Sequence, residues 1–234
     1  MMKKLCTLLF LLCSVFTYAQ ENTELKTFKK RGVFLDINVG FAERIGELSG
    51  EDYLDKQYSK SLKSGFSYDV SLYFRLIEDK NSFIGFKHNA FKKRIVVDDA
   101  YVYAPNGQEG YGDYSNNITI AFYGISYLYC KETANRDEFN FDLSLGYIHY
   151  KDKAVILRDY KITGASFGAY TSGSYHFRIS DGFSVGPRVG LLLGTLRSAE
   201  IDGPNGFHEN IKLDGDSKES LSRIDLSIGA RIKF

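Results

Sequence analysis

The last twelve residues of the chain alternate without a break. Ile224, Leu226, Ile228, Ala230, Ile232 and Phe234 fall on one side, and Arg223, Asp225, Ser227, Gly229, Arg231 and Lys233 on the other. Successive side chains of a β-strand point to opposite faces, so this segment demands an apolar environment on one side and a polar one on the other. The same period of two recurs over residues 32–42, 66–77, 82–95, 117–130, 138–150, 162–179 and 183–198, and no segment after residue 31 holds a helical period. Eight strands are the expectation. The fourth is the least regular, because its phase is ambiguous around Phe122, Tyr123 and Gly124, where a bulge or a different register are both open.

The connections carry a second signal. Glu78-Asp79-Lys80-Asn81, residues 131–137 and Ser180-Asp181-Gly182 are short, whereas residues 43–65, 96–116, 151–161 and 199–220 are long, and the two kinds alternate strictly. An up-and-down antiparallel barrel that crosses an outer membrane has this arrangement, with short turns on the periplasmic side and long loops outside. A soluble sandwich or a lipocalin-like carrier also alternates, with the apolar face turned inward. Three features favour the membrane reading. The polar faces are rich in Gly and Ser beside isolated charges, aromatics crowd the strand ends (Tyr127, Tyr129, Phe139, Phe141, Tyr175, Phe177, Phe183), and an uninterrupted strand closes on Phe234.

The N-terminus supplies a route. Met1-Met2-Lys3-Lys4, an apolar run from Leu5 to Phe16 and Thr17-Tyr18-Ala19 form the three parts of an export signal cut after Ala19. Leu12 stands before Cys13 where a lipoprotein signal requires a small residue. The expected division is a signal peptide at 1–19, a periplasmic lead-in at 20–31 and a barrel domain at 32–234. Loss of Lys3 and Lys4 leaves 28 of the 30 basic residues against 29 acidic ones, a net charge of −1. Loss of Cys6 and Cys13 leaves Cys130 alone, so no internal disulfide is expected. A hydrophobic content of 44% excludes a disordered chain, and the near-neutral charge argues against a nucleic-acid partner.

Eight alternating strands, alternating link lengths and a final Ile-Gly-Ala-Arg-Ile-Lys-Phe resemble the small outer-membrane β-barrel proteins, the OmpA/OmpX-like and PorT-like group. The resemblance covers the mature chain and implies a Gram-negative cell envelope and outer-membrane lipid as surroundings. It also implies the barrel-assembly machinery as a partner, with Ile228, Ile232 and Phe234 as the assembly signal. The absence of Trp departs from the family pattern and leaves the girdle to Tyr and Phe. The PorT-like side of the resemblance implies an alternative role in an envelope or protein-secretion machine.

An eight-stranded barrel is just wide enough for its own side chains. The polar faces send Asp36, Asp69, Asp142 and Asp225 into the lumen with Arg75, Lys87, Arg178, Arg188, Arg223, Arg231 and Lys233. Buried charges must pair, so an internal ion-pair network is expected from Asp36, Asp69, Lys87, Asp142, Arg188, Arg223 and Asp225. Asp36, Lys87, Asp142 and Arg188 are expected at similar depth. The result would be a plugged monomer and not a pore.

No cofactor, metal site or catalytic group is expected. His88, His149, His176 and His208 lack metal-ligand spacing, and neither Lys87-His88-Asn89-Ala90 nor His149-Tyr150-Lys151 brings the nucleophile that a lipid-modifying barrel enzyme would need. Pro105–Gly107 and Pro204–Gly206 read as turn chemistry, and Tyr101, Tyr103, Tyr111 and Tyr114 as a contact surface or loop packing. Asp214-Gly215-Asp216 with Glu219 lacks the full calcium-loop pattern. The expected function is binding, adhesion or envelope integrity through the outer loops, with an unknown extracellular or envelope partner.

Overall fold

A computed structural model describes residues 32–46, 61–76, 81–103, 109–156, 158–215 and 218–234. Residues 1–31, where the sequence predicts a signal peptide and a lead-in, lie outside the described residues. Eleven strands follow in order: β1 Val33–Arg44, β2 Ser64–Arg75, β3 Ser82–Tyr103, β4 Glu109–Glu132, β5 Glu138–Ile156, β6 Arg158–Ser180, β7 Phe183–Leu196, β8 Ser198–Asp202, β9 His208–Lys212, β10 Glu219–Ser220 and β11 Arg223–Lys233. Each of β1 to β6 pairs antiparallel with the next, and β11 pairs with both β7 and β1, which closes a ring of eight. Closure removes the free edges that an open sheet of this size would expose.

The register fixes the tilt. One cross-strand row runs Asp36, Ser71, Lys87, Gly124, Gly146, Gly168, Gly194. In the other direction Asp36 meets Arg231 and then Ser184. The row therefore returns to β7 displaced from Ser184 to Gly194, a stagger of ten residues. Such a stagger requires strands inclined by about 35–45° to the barrel axis.

The outer links differ from the sequence expectation. Residues 96–116 and 151–161 read as long loops in the sequence, yet β3 and β4 stay paired out to Tyr103 and Glu109, and β5 and β6 to Ile156 and Arg158. β-Branched residues in Ile95-Val96-Val97 and Val155-Ile156 favour continued pairing, and no proline interrupts before Pro105. These connections are hairpin arms. The stretch 199–220 likewise folds into the β8–β9 hairpin, which docks on β6, and the two-residue β10. Its tip is a 3-10 turn at Pro204–Gly206, where Asn205 and Gly206 adopt positive φ of 57° and 77°. In the first link, residues 47–60 lie outside the described residues.

Strand β4 keeps one phase from Ile118 to Cys130. Its even-numbered residues Ile118, Ile120, Phe122, Ser126, Leu128 and Cys130 are buried inside, and Tyr123, Ile125, Tyr127 and Tyr129 face out. The register against β3 shifts only between Val97 and Ala100, in the arm. The sequence is ambiguous there because both faces of β4 are apolar around Phe122.

Candidate functional site

The interior is layered. Nearest the short turns, Phe34, Tyr73, Phe83, Leu128 and Cys130 pack into an apolar floor. Above it lie the charges. Arg231 grips both oxygens of Asp36 at 2.6 and 2.7 Å, reaches Glu138 at 3.2 Å and the Asn140 amide oxygen at 2.6 Å, and lies over the Phe34 ring. Lys233 also pairs with Glu138. The next group centres on Asp69, which meets Arg188 at 2.7 Å and Lys87 at 3.2 Å and accepts from Ser71 and Asn38. Lys87 stands 3.5 Å from Asp142, which also accepts from the Tyr73 hydroxyl at 2.6 Å and from Ser144. Higher still, Arg223 pairs with Asp225 at 3.2 Å and donates to Asn89. Every acid in these three groups has a basic partner, which is what burial of charge demands.

A second apolar layer caps the network on the arm side, where Phe91, Ile118, Ile120, Phe122, Ile148, Tyr170, Leu192, Leu196 and Leu221 form the main buried cluster. Above it Arg44 pairs with Glu219 and donates to the Ser220 carbonyl. Two apolar clusters thus bracket the buried ion pairs along the interior.

Of the sequence-named lumen residues, the structure brings Asp69, Lys87, Asp142 and Arg188 into one group and Arg223 with Asp225 into another. Asp36, expected at a depth similar to that of Lys87, Asp142 and Arg188, ion-pairs with Arg231. Asp36 and Lys87 share a cross-strand row, and in a tilted barrel such a row climbs as it goes round. Arg178 sits at the turn end against Glu132 and Asp181, and Arg75 stacks over Phe83. Glu138 was missed, although its even phase with Asn140 and Asp142 on β5 was readable. Tyr73 as a donor to Asp142 was not, since pairing across the lumen depends on the stagger.

The outward face inverts the polarity of a water-soluble protein. Phe167 is 86% exposed, Phe41 75%, Leu145 67% and Phe86 66%, while Asp36, Asp69, Asp142 and Lys87 are 2–3% exposed. So contiguous an apolar exterior requires a covering. Tyr127, Tyr129, Phe139 and Phe177 stand toward the short turns, and Tyr68, Tyr123 and Tyr147 toward the arms. His88 belongs to this upper set, stacked on Tyr123 with ring centroids 4.7 Å apart and 3.4 Å from the Tyr68 hydroxyl. His149 also faces out, on β5 two residues beyond Tyr147.

No metal-holding cluster of His, Cys, Asp or Glu occurs among the described residues. Gly215 of the acidic stretch has a positive φ of 59°, and Asp216 lies outside the described residues. Tyr101, Tyr103 and Tyr111 occupy paired positions of the β3–β4 arm.

No family model matches the chain, and no curated protein matches it. Solved structures do. A major outer membrane protein from Thermus thermophilus aligns over 87% of this chain and 98% of its own, with 10% identity and a TM-score of 0.57. The outer membrane protease OmpT from Escherichia coli aligns over 91% of this chain and 100% of its own, with 8% identity and a TM-score of 0.50. At these identities the likeness establishes the fold, which is that of the outer-membrane β-barrels.

Proposed function

We propose that this chain is an exported, integral outer-membrane barrel of non-enzymatic function, with a closed lumen and arms that make contacts at the cell surface. The observation that carries the reading is the inverted polarity. Burying ion pairs inside while exposing Phe167, Phe41 and Leu145 is favourable only where hydrocarbon covers the outside. The short turns and Phe234 then face the periplasm and the β3–β6 arms face outward. The ring accounts for its own hydrogen bonding, so a monomer suffices. Ile228 and Phe234, each 63% exposed, and Ile232 project from β11 in the pattern suited to recognition by the barrel-assembly machinery.

The proposed closed lumen gives the sharpest test. The purified protein in a planar bilayer is expected to show no stable open level, and its unboiled band on a denaturing gel should shift on heating. A persistent large conductance would overturn the closed-lumen reading. Recovery from the soluble periplasm would overturn the membrane one.

The contact role rests on the arms, which rise beyond the ring and end in β9, a strand with one edge unpaired among the described residues. Unpaired edges and raised hairpins suit protein contacts. Affinity purification of the native barrel from membranes separates two versions of this role. Stoichiometric envelope proteins would favour a part in a secretion or envelope machine, and recovery alone would favour surface binding.

A further inference from the structure

A rectangular array of basic residues occupies the outward face where the arms begin. One cross-strand row places Lys92, Thr119, Lys151 and Thr163 side by side on β3 to β6, and the next places Arg94, Asn117, Lys153 and Lys161. All eight share the outward phase of their strands, which Phe86, Tyr123, Tyr147 and Phe167 mark. Neighbouring strands lie about 4.8 Å apart and same-face residues along a strand about 6.6 Å apart. Lys92, Arg94, Lys151 and Lys153 therefore stand at the corners of a patch about 10 Å by 7 Å. Thr119 and Asn117 fill its centre.

No acid interrupts the array. Lys161 is engaged by Asp202 at 3.3 Å, whereas the four corner bases have no carboxylate partner among the described residues. Asp152, between Lys151 and Lys153 in sequence, points inward and is held by Asn116 and the Asn117 backbone N–H. Lys92 lies over the ring of Tyr68, 5.6 Å from its centroid, which links the array to the aromatic belt beneath it.

Further down the same strands, and reaching onto β2, the wall is indented. An apolar groove is lined by Leu72, Phe86, Tyr123, Ile125, Leu145 and Phe167 and floored by Gly124 and Gly146. A concentrated positive patch stacked on an apolar groove, along one line from outside to mid-membrane, matches one kind of molecule. We propose that this face is a binding site for a phosphorylated multi-acyl lipid of the outer leaflet. Its phosphate seats among Lys92, Arg94, Lys151 and Lys153, and one acyl chain lies in the groove over Gly124 and Gly146. The inference rests on the outer-membrane placement proposed above. A soluble anion would use the bases and leave the groove idle.

The test uses the mature barrel in phosphatidylcholine nanodiscs doped with bisphosphorylated lipid A or with the same lipid A stripped of its phosphates, with bound lipid counted by native mass spectrometry. The phosphorylated form is expected to be retained at least about tenfold more strongly, given the attraction of each basic residue to an anionic lipid. The K92Q/R94Q/K151Q/K153Q variant should lose that preference while keeping its heat-modifiable gel shift. A K131Q/R136Q variant at the turn end should keep the preference. Equal retention of the two lipids, or undiminished preference in the fourfold variant, would overturn the proposal, as would displacement by equimolar inorganic phosphate. Failure of the barrel to enter nanodiscs at all would instead count against the membrane placement.

Discussion

The two halves of the lumen solve the same packing problem in opposite ways. On β4 and β5 the border is a pair of inward-facing glycines, Gly124 and Gly146, in the cross-strand row that continues through Gly168 and Gly194. Toward the short turns from that row stand Ser126, Ser144, Asp142 and Asn140. Toward the arms stand Phe122, Ile148 and Tyr150. The charged half depends on matched partners, and the apolar half depends on space that the glycines leave open. A Cβ on Gly168 would collide with Cδ1 of Ile148 and come within 2.7 Å of the Leu193 carbonyl oxygen. A Cβ on Gly146 would strike the Tyr123 carbonyl. Electrostatic matching fails abruptly when one member is lost, whereas packing degrades by degrees.

Arg231→Ala should therefore be the most damaging change. It leaves Asp36 and Asn140 without the guanidinium, and Glu138 with Lys233 alone. Removing one partner of a buried pair costs about 3–5 kcal/mol. Urea titration of the barrel in vesicles, read by the heat-modifiable gel shift, should show a loss of that size. Arg231→Met combined with Asp36→Asn should recover part of it, since the uncompensated carboxylate is then gone. A single-variant loss below about 1 kcal/mol, the level of an exposed pair, would dissolve the contrast between the halves.

On the apolar side Gly168→Ala should cost about 1–3 kcal/mol through overpacking. Ile148→Val removes the Cδ1 carbon that the new methyl meets and should cost about 1 kcal/mol alone. The two together should cost less than their sum, and the relief should be partial because the Leu193 carbonyl remains in the way. Strict additivity would show that the glycine row does not make room for Ile148.

The charged half was more legible in the sequence than the apolar half, and the reason is the period of two. Asp36, Asp69, Asp142 and Asp225 each stand between apolar neighbours, so their inward direction follows from phase alone. Phe122 stands between Ala121 and Tyr123, where phase is silent and only closure of the ring decides. Who pairs with whom was less readable even for the charges. Arg231 reaches Glu138 and Asn140 across the lumen, and that meeting depends on a ten-residue stagger set by the whole ring. The array of Lys92, Arg94, Lys151 and Lys153 was hidden for a related reason. Residues far apart in sequence, such as Lys92 and Lys151, become near neighbours only through the β3–β4 and β4–β5 registers.

The smallest effect belongs to the arms, where charges are exposed and water screens them. Lys161, Asp202 and His208 form one cross-strand row over β6, β8 and β9. Hydrogen bonds first from His208, at 2.9 Å, and then from Lys161, at 3.3 Å, hold the Asp202 carboxyl below its ordinary value of 3.8. A carboxylate with a depressed pKa in the folded state contributes stability that is complete above its unfolded pKa and disappears as pH falls through the folded one. The β8–β9 hairpin should therefore keep its order down to about pH 4 and loosen below it. Amide hydrogen exchange at Ile201 and Glu209, compared between the native chain and Asp202→Asn, reads this directly. Protection in the native chain should fall in acid, and the variant should show a flat profile at the lower level throughout. A native transition centred above about pH 4 would mean that Asp202 gains nothing from its two partners, and that the arm is held by its backbone pairing alone.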